Sequence, residues 1–513
     1  MIRFLKHPRT PILLLLAINL AGGFLTYQHY GMSWDEPLFY NYADSIRGAY
    51  TPQAFAPGFD FYQVFGKSPE DHKIYGPAYL LLAWPVQRLA MLFPGADMAS
   101  AWHLVNFITF QLGLIAFYCL ARRWLDTCPA GAATAFFAWQ PVFWGHAFIN
   151  PKDAPFMVFF LSALVLGLRF VDSLAEHGKI AWARLISASL MLGLASAIRV
   201  IGPLAGAIIF IYFVFLKKWR GFPLFIAYGV IAAVTMFVFW PYLWADPLNR
   251  LLEVLKHMAN NPTELAVVFD GQIFRANEMP RRYLPQMLGL TLTEPTWPLF
   301  VFGLLAAGHS IWTKKWNWRA PVLVIGLFLF MLAYVVNNQP AVYDGFRHFL
   351  FITPPIFIAI GFGFQWLWEK IKHTLWWLMV VLMLLPGLLG ILQMHPYEYA
   401  YYNLASGGVG KAFRVYETEY WLTCYKEALE WTRANAPDST LHVQREIGLA
   451  KYYAGTLTLK NLDKESEDQV LPGDLLLLHS RANLDLRSIY RKYPVIHTIG
   501  RDGAQFCIIK SRE

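Results

Sequence analysis

The sequence predicts a mostly α-helical, polytopic membrane protein with about eleven transmembrane helices and a small C-terminal α/β domain. Three observations carry this. Of 513 residues, 56% are hydrophobic and 15% are charged, whereas soluble domains carry about 25% charged residues. The apolar residues fall into blocks of about 17–22, the length that spans a bilayer. Beyond about residue 395 those blocks stop and charge rises. The net charge of +9 sits mostly in short loops between apolar blocks. Lys and Arg placed that way set membrane topology, not a phosphate-tracking face, which excludes nucleic acid as a partner.

The first element follows the basic stretch Met1-Ile-Arg-Phe-Leu-Lys-His-Pro-Arg9. The apolar run from Pro11 to Tyr27 is long for a signal-peptide core and lacks a clean cleavage site, so it reads as an uncleaved helix. Spans are expected near 11–29, 100–121, 129–148, 155–172, 183–198, 200–216, 222–243, 295–312, 319–336, 348–367 and 374–393. Segment 77–94 is apolar but short, and it holds Pro85, Gln87 and Arg88. The positive-inside rule decides its fate. If it does not cross, one side collects Arg3/Lys6/Arg9, Arg122/Arg123, Lys179/Arg184, Lys217/Lys218/Arg220, Lys314/Lys315/Arg319 and Lys370/Lys372. It is therefore expected as a juxtamembrane or re-entrant helix, with the N-terminus inside and the C-terminus outside. Trp366, Trp368, Trp376 and Trp377, around the Lys370/Lys372 hinge, are expected as interfacial anchors.

This divides the chain into a membrane domain over 1–394 and an extracytoplasmic, periplasmic α/β domain over 395–513. The membrane domain carries outer loops at 30–99, with juxtamembrane helices, and at 244–294. The expected location is the inner (plasma) membrane. In the tail, Glu419–Asn435 has helical periodicity, and Leu484–Lys492 reads as a second helix. Ser439–Arg445, Leu475–His479, Val495–Ile499 and Gln505–Ile509 read as strands. The four cysteines show no metal-binding spacing; Cys424 and Cys507 can pair as a disulfide in an oxidising compartment.

The outer side receives most of the polar corners. Gly31-Met32-Ser33-Trp34-Asp35-Glu36-Pro37 sets two carboxylates just after the first helix, where charge is costly unless hydrated or partnered. A helix cap explains Asp35, with Pro37 in the first turn, but leaves Glu36 unexplained. One carboxylate suits a general base for an acceptor hydroxyl or amine; the other could orient it or hold a cation. Asn150-Pro151-Lys152-Asp153 reads either as a capped turn or as a second carboxylate facing the first, with Lys152 for an anion. Tyr343-Asp344-Gly345-Phe346-Arg347-His348 sets an Arg on the side the positive charges otherwise avoid, which favours phosphate recognition over snorkelling. Arg199 lies in an apolar stretch, where an unpaired Arg costs about 2.5–3.5 kcal/mol that a lipid phosphate would offset. His72-Lys73-Ile74-Tyr75-Gly76-Pro77 offers Lys73 for a phosphate and His72 for a metal or a proton.

In this order and topology the chain resembles the C-type (GT-C) glycosyltransferases, and within them the protein O-mannosyltransferase and lipid A aminoarabinose transferase group. The residues that carry the resemblance are the first-loop Asp35-Glu36, the second outer Asp153 and the late Arg347, joined by Phe269-Asp270-Gly271, Tyr283-Leu284-Pro285 and Thr293-Glu294-Pro295. The resemblance spans roughly residues 10–395. It implies a sugar donor carried on a polyprenyl phosphate and an acceptor glycolipid, glycan or protein at the outer face. Asp35 would activate the acceptor, Asp153 would be the second acidic residue, and Lys73 would face the donor phosphate with Arg347. His72 stands where some members bind metal, but the residue before Lys73 is not Glu, so a divalent cation is a candidate and its site is not assigned. His348 and Asp344 complete the candidate set. The implied mechanism is a single inverting displacement. Two rivals share this silhouette: a polyprenyl-linked glycan polymerase or ligase, and a lipid-linked sugar transporter or flippase. A transporter would place its charges near the midplane on repeated halves, and no repeat is seen.

Overall fold

Each long apolar block folds as helix, as hydrogen-bond economy in lipid requires. The computed structural model describes residues 7–176, 182–217, 219–259, 263–315, 317–462 and 470–512. Arg3, Lys6, Lys179 and Lys218 of the positive loops lie outside them. The bundle is built from Thr10–Thr26, Met98–Ala121, Asp153–Glu176, Trp182–Ser196, Pro203–Phe215, Phe222–Val238, Thr296–Trp312, Arg319–Asn338, Pro354–Lys370 and His373–Met394. Among the described residues five helices are long and apolar enough to cross a membrane: those containing Met98–Ala121, Asp153–Leu174, Trp219–Val238, Pro321–Asn338 and His373–Met394. A sixth arises if Tyr283–Thr291 and Thr296–Trp312, bent by 103°, form one broken span.

Two expected spans differ in form. The 129–148 block is two helices, Thr127–Ala138 and Pro141–Ile149. Pro141 lacks an N–H and opens the second one, while Gln140 before it is extended. The 348–367 block begins as a 3-10 turn, Arg347–Ile352, and becomes α-helical only at Pro354. Of the four tryptophans expected as anchors, Trp376 and Trp368 are buried. Trp376 donates to the Phe364 carbonyl at 2.9 Å, so this pair packs the last two helices together instead of marking an interface.

The first loop holds Glu36–Ile46, short 3-10 turns and Ala78–Ala90. The last of these is the 77–94 segment, and its Ala78 N–H donates to the Ala197 carbonyl at 3.2 Å. Gly76 permits that approach, since a Cβ there would lie 1.9 Å from the same carbonyl oxygen. The second loop contributes a hairpin, β1 (Ala266–Phe269) and β2 (Gln272–Arg275), whose turn residues Asp270 and Gly271 both have positive φ.

The tail forms a five-stranded sheet of β3 (Thr440–Val443), β4 (Thr458–Asn461), β5 (Leu475–His479), β6 (Val495–Arg501) and β7 (Ala504–Ser511). The order is β4-β3-β5-β7-β6, with β3 parallel to β4 and β5 and the rest antiparallel. Two helical expectations need correction. Glu419–Asn435 is helical only from Tyr425 to Asn435, because Leu422 has φ +60° and the buried Glu419 carboxylate holds the Leu422 and Thr423 N–H groups at 3.0 and 2.9 Å. Leu484–Lys492 is a pair of 3-10 turns, Arg481–Leu486 and Ser488–Tyr490, with Ala482 and Asn483 left-handed. Cys424 and Cys507 form a disulfide that ties the start of the Tyr425–Asn435 helix to β7.

Candidate active site

Four chain segments and the tail bring their charges to one place. Asp35 stands at the N-cap of Glu36–Ile46 without capping it through its side chain. Its carboxylate, 23% exposed, meets Lys152 Nζ at 3.7 Å and Arg347 Nη1 at 3.3 Å. The same Arg347 nitrogen donates to Asp153 Oδ2 at 3.3 Å. Asp153 also accepts a short hydrogen bond from Arg199 and one from Asn150 Nδ2 at 3.1 Å. Asn150 shapes the corner, its side-chain oxygen taking the N–H groups of Lys152 and Asp153 at 3.1 and 2.8 Å. Arg347 Nη2 reaches Asp344 Oδ2 at 3.1 Å. Asp344 in turn meets Arg481 Nη1 of the tail at 2.7 Å. The result is an alternating line of acids and bases, Arg199–Asp153–Arg347–Asp344–Arg481, with Asp35 and Lys152 branching from its middle.

Aromatic rings wall this line. Trp34 lies under the guanidiniums of both Arg445 and Arg481, at 4.4 and 4.5 Å from the ring centre. Arg347 lies over Trp421 and Tyr343 at 5.0 and 5.2 Å, and Lys152 lies over Tyr75 at 4.7 Å. The Trp34 N–H donates to the Trp421 carbonyl at 3.1 Å. Gly31 allows that approach, because a Cβ there would lie 2.0 Å from the Thr423 carbonyl oxygen.

Charge compensation sets the protonation states. Burial acts to raise the Asp35 carboxyl, but Lys152, Arg347 and Arg481 outweigh it and hold the pKa below its usual range. Burial, with repulsion from Arg347 and Arg199, lowers the Lys152 ammonium to about 8 against the opposing pull of Asp35.

The remaining candidates stand elsewhere. Glu36 turns away from Asp35: it is fully buried, accepts from the Ser33 N–H and Tyr40 hydroxyl, and sits 2.9 Å from His103 Nε2. Lys73 is held by Glu70 at 2.8 Å and Glu253 at 3.5 Å. His72 is buried with Nδ1 2.6 Å from the Phe65 carbonyl oxygen and its ring stacked on Tyr42. His348 is the exception: its ring packs edge-on against Tyr343, one of the rings that wall the line, at 4.6 Å. Among the described residues no group of three or more His, Cys, Asp or Glu side chains could hold a metal ion. Asp35, Asp153 and Asp344 are each already neutralised by Arg or Lys. This donor set does not fit a divalent cation, and no step below uses one.

Sequence reasoning missed Arg481, Trp34 and Trp421 as parts of the site. One signal was present for Arg481: it is an Arg two residues past the end of the apolar strand Leu475–His479, where a buried charge needs a partner.

A helical membrane bundle, a first loop of short helices and a small C-terminal sheet region closing on one charged cluster make this chain a multi-pass membrane protein of the GT-C fold. Structures of ArnT from Cupriavidus metallidurans, bound to undecaprenyl phosphate and in the apo state, match it with a TM-score of 0.50 each, at 11% and 13% identity, covering 98% of both chains. The apo Archaeoglobus fulgidus oligosaccharyltransferase matches 98% of this chain and 75% of its own length, with a TM-score of 0.49 and 12% identity. No protein-family model and no curated protein matches the sequence.

Proposed function

We propose that the protein is a glycosyltransferase that moves a sugar from a polyprenyl-phosphate donor to an acceptor at the outer face of the membrane. The observation that carries this reading is the partly open Asp35 beside Lys152 and Arg347, in a fold shared with an ArnT that binds undecaprenyl phosphate. Asp35 is ionised at neutral pH and takes the proton of an acceptor hydroxyl or amine. The acceptor atom then bonds to the anomeric carbon as the carbon–oxygen bond to phosphate breaks. The electron pair leaves with the polyprenyl phosphate, so its growing charge is the main thing to stabilise. Lys152, Arg199 and Arg347 supply that stabilisation, with the Tyr75 ring against Lys152 and the Tyr343 ring against Arg347. A phosphate leaves without protonation, so no acid partner is needed, in contrast to glycoside hydrolysis. One displacement inverts the anomeric centre.

The outer placement, with the N-terminus inside and the domain boundary near 394/395, is part of the same proposal. The Cys424–Cys507 disulfide supports an oxidising side for the tail. The test is direct. Purified protein given an undecaprenyl-phosphate sugar and a candidate acceptor should release undecaprenyl phosphate, and Asp35→Asn should cut transfer by about 10²–10⁴. Full activity in that variant overturns the role of Asp35.

A further inference from the structure

Among the described residues Arg481 is the one tail cation that enters the acid–base line, and its position is over-determined. It is 1% exposed, and Nη1 donates to both Asp344 Oδ1 at 2.7 Å and the Tyr420 carbonyl at 2.6 Å. Its guanidinium also lies over Trp34, the residue before Asp35. It is presented by a backbone kink, since Ala482 and Asn483 both adopt left-handed φ. Asp344 is itself left-handed and fully buried, and it is shared between Arg481 and Arg347. Arg347 therefore has three acidic partners, Asp344, Asp35 and Asp153, and Arg481 competes with it for the first.

We infer that Arg481 is a positioning residue: by occupying Asp344 it frees Arg347 to hold Asp35 and Asp153, so the tail domain sets the state of the base without touching substrate. Removing Arg481 concentrates the Asp344 charge on Arg347 and draws that guanidinium off Asp35. It also removes a second cation near Asp35. Both effects act in one direction and make Asp35 easier to protonate. The other charged or polar groups facing Asp35 are Lys152 from the 150–152 turn, Arg199 from the 197–202 turn and the Tyr75 phenol, and they are unchanged by the substitution. The inference uses the proposed role of Asp35 only for its meaning, because its test needs no turnover.

Carbodiimides react with protonated carboxyls. Asp35, at 23% side-chain exposure, is open to the reagent, whereas Asp153 and Asp344 are buried at 2% and 0%. Full-length protein in detergent is treated with a water-soluble carbodiimide and glycinamide over a pH series. Mass spectrometry then scores Asp35, either as the glycinamide adduct or as an internal amide to Lys152. Arg481→Gln is expected to raise the pH of half-labelling by about one unit, hence about tenfold more labelling at a fixed pH above it. Arg481→Lys should restore most of the shift. Asp344→Asn should move half-labelling the opposite way, since it releases Arg347 to Asp35. An Arg481→Gln curve that overlays the wild type while thermal stability falls would mean a purely structural role and overturn the inference. If Arg481→Gln does not fold, Asp344→Asn decides alone: a curve unchanged or displaced to higher pH overturns it. Loss of sugar transfer with the expected labelling shifts intact would fault the proposed reaction and leave this coupling standing.

Discussion

The guanidinium of Arg347 reaches the carboxylate of Asp35 across 312 positions of sequence, at 3.3 Å. The contact joins the start of the Glu36–Ile46 helix to the segment before the Pro354–Lys370 helix. It also places the proposed base one nitrogen away from Asp153, since Nη1 serves both acids.

The two acids therefore differ in kind. Asp35 is partly open, whereas Asp153 is 2% exposed between Arg199 and Arg347. Asp153→Asn leaves the buried Arg347 and the largely buried Arg199 guanidiniums under-compensated, at a cost of about 3–5 kcal/mol. Thermal unfolding in detergent should show a fall of several degrees for Asp153→Asn and little change for Asp35→Asn. Equal losses from both would argue against this division.

Lys152 predicts a pH dependence. Its ammonium titrates near about 8 in the free protein, and a bound phosphate favours the charged form. The cation is present below that pH and lost above it, so affinity for undecaprenyl phosphate should fall as pH rises beyond about 8, approaching tenfold per unit. Equilibrium binding measured from pH 7 to pH 10 tests this, and Lys152→Met should flatten the profile.

Lys73 and Lys152 can be separated by the same assay. Lys73 already holds Glu70 and Glu253, and these pairs must be displaced before it can serve a phosphate. Lys152→Ala should weaken undecaprenyl phosphate binding more than Lys73→Ala. The reverse order would move the donor phosphate toward the first loop and away from the Asp35 cluster.

The disulfide closes a separation of 83 residues in the tail, for which chain entropy gives about 4.5 kcal/mol. Cys424→Ser should lower the unfolding temperature of the tail. Because Cys424 follows the Tyr420–Thr423 segment that lines the site, it should also expose Trp421 to quenchers. Non-reducing electrophoresis of protein from intact cells should show the bond formed; a fully reduced tail would contradict the proposed outer placement.

Much of the architecture could be read from the sequence because hydropathy and helix length are local properties. The apolar blocks, the change of composition past residue 395 and strands such as Leu475–His479 follow from them. Where proline chemistry interrupts a block, as at Pro141 and Pro354, hydropathy alone runs two elements into one. The site was legible in part. Asp35, Asp153, Lys152, Arg199, Asp344 and Arg347, all candidates in the sequence, stand together, whereas Lys73, expected with them, pairs with Glu70 and Glu253. Glu36 shows the limit: adjacency to Asp35 suggested a pair, but successive residues at a helix start point in different directions, and Glu36 is spent on Ser33, Tyr40 and His103. Arg481 depends on a contact 137 residues away, which no local pattern encodes.

That contact bears on when the molecule becomes competent during its own synthesis. A nascent chain can thread Asp35, Lys152, Asp153, Arg199 and Arg347 into place as its helices insert, yet the line of charges stays open at Asp344 until residue 481 has emerged and the sheet around it has folded. On the proposed role of Asp35, a half-made or clipped copy would sit in the bilayer with Arg347 drawn toward Asp344 and its base ill-held. Completion of the tail would then act as a built-in delay that keeps unfinished copies idle.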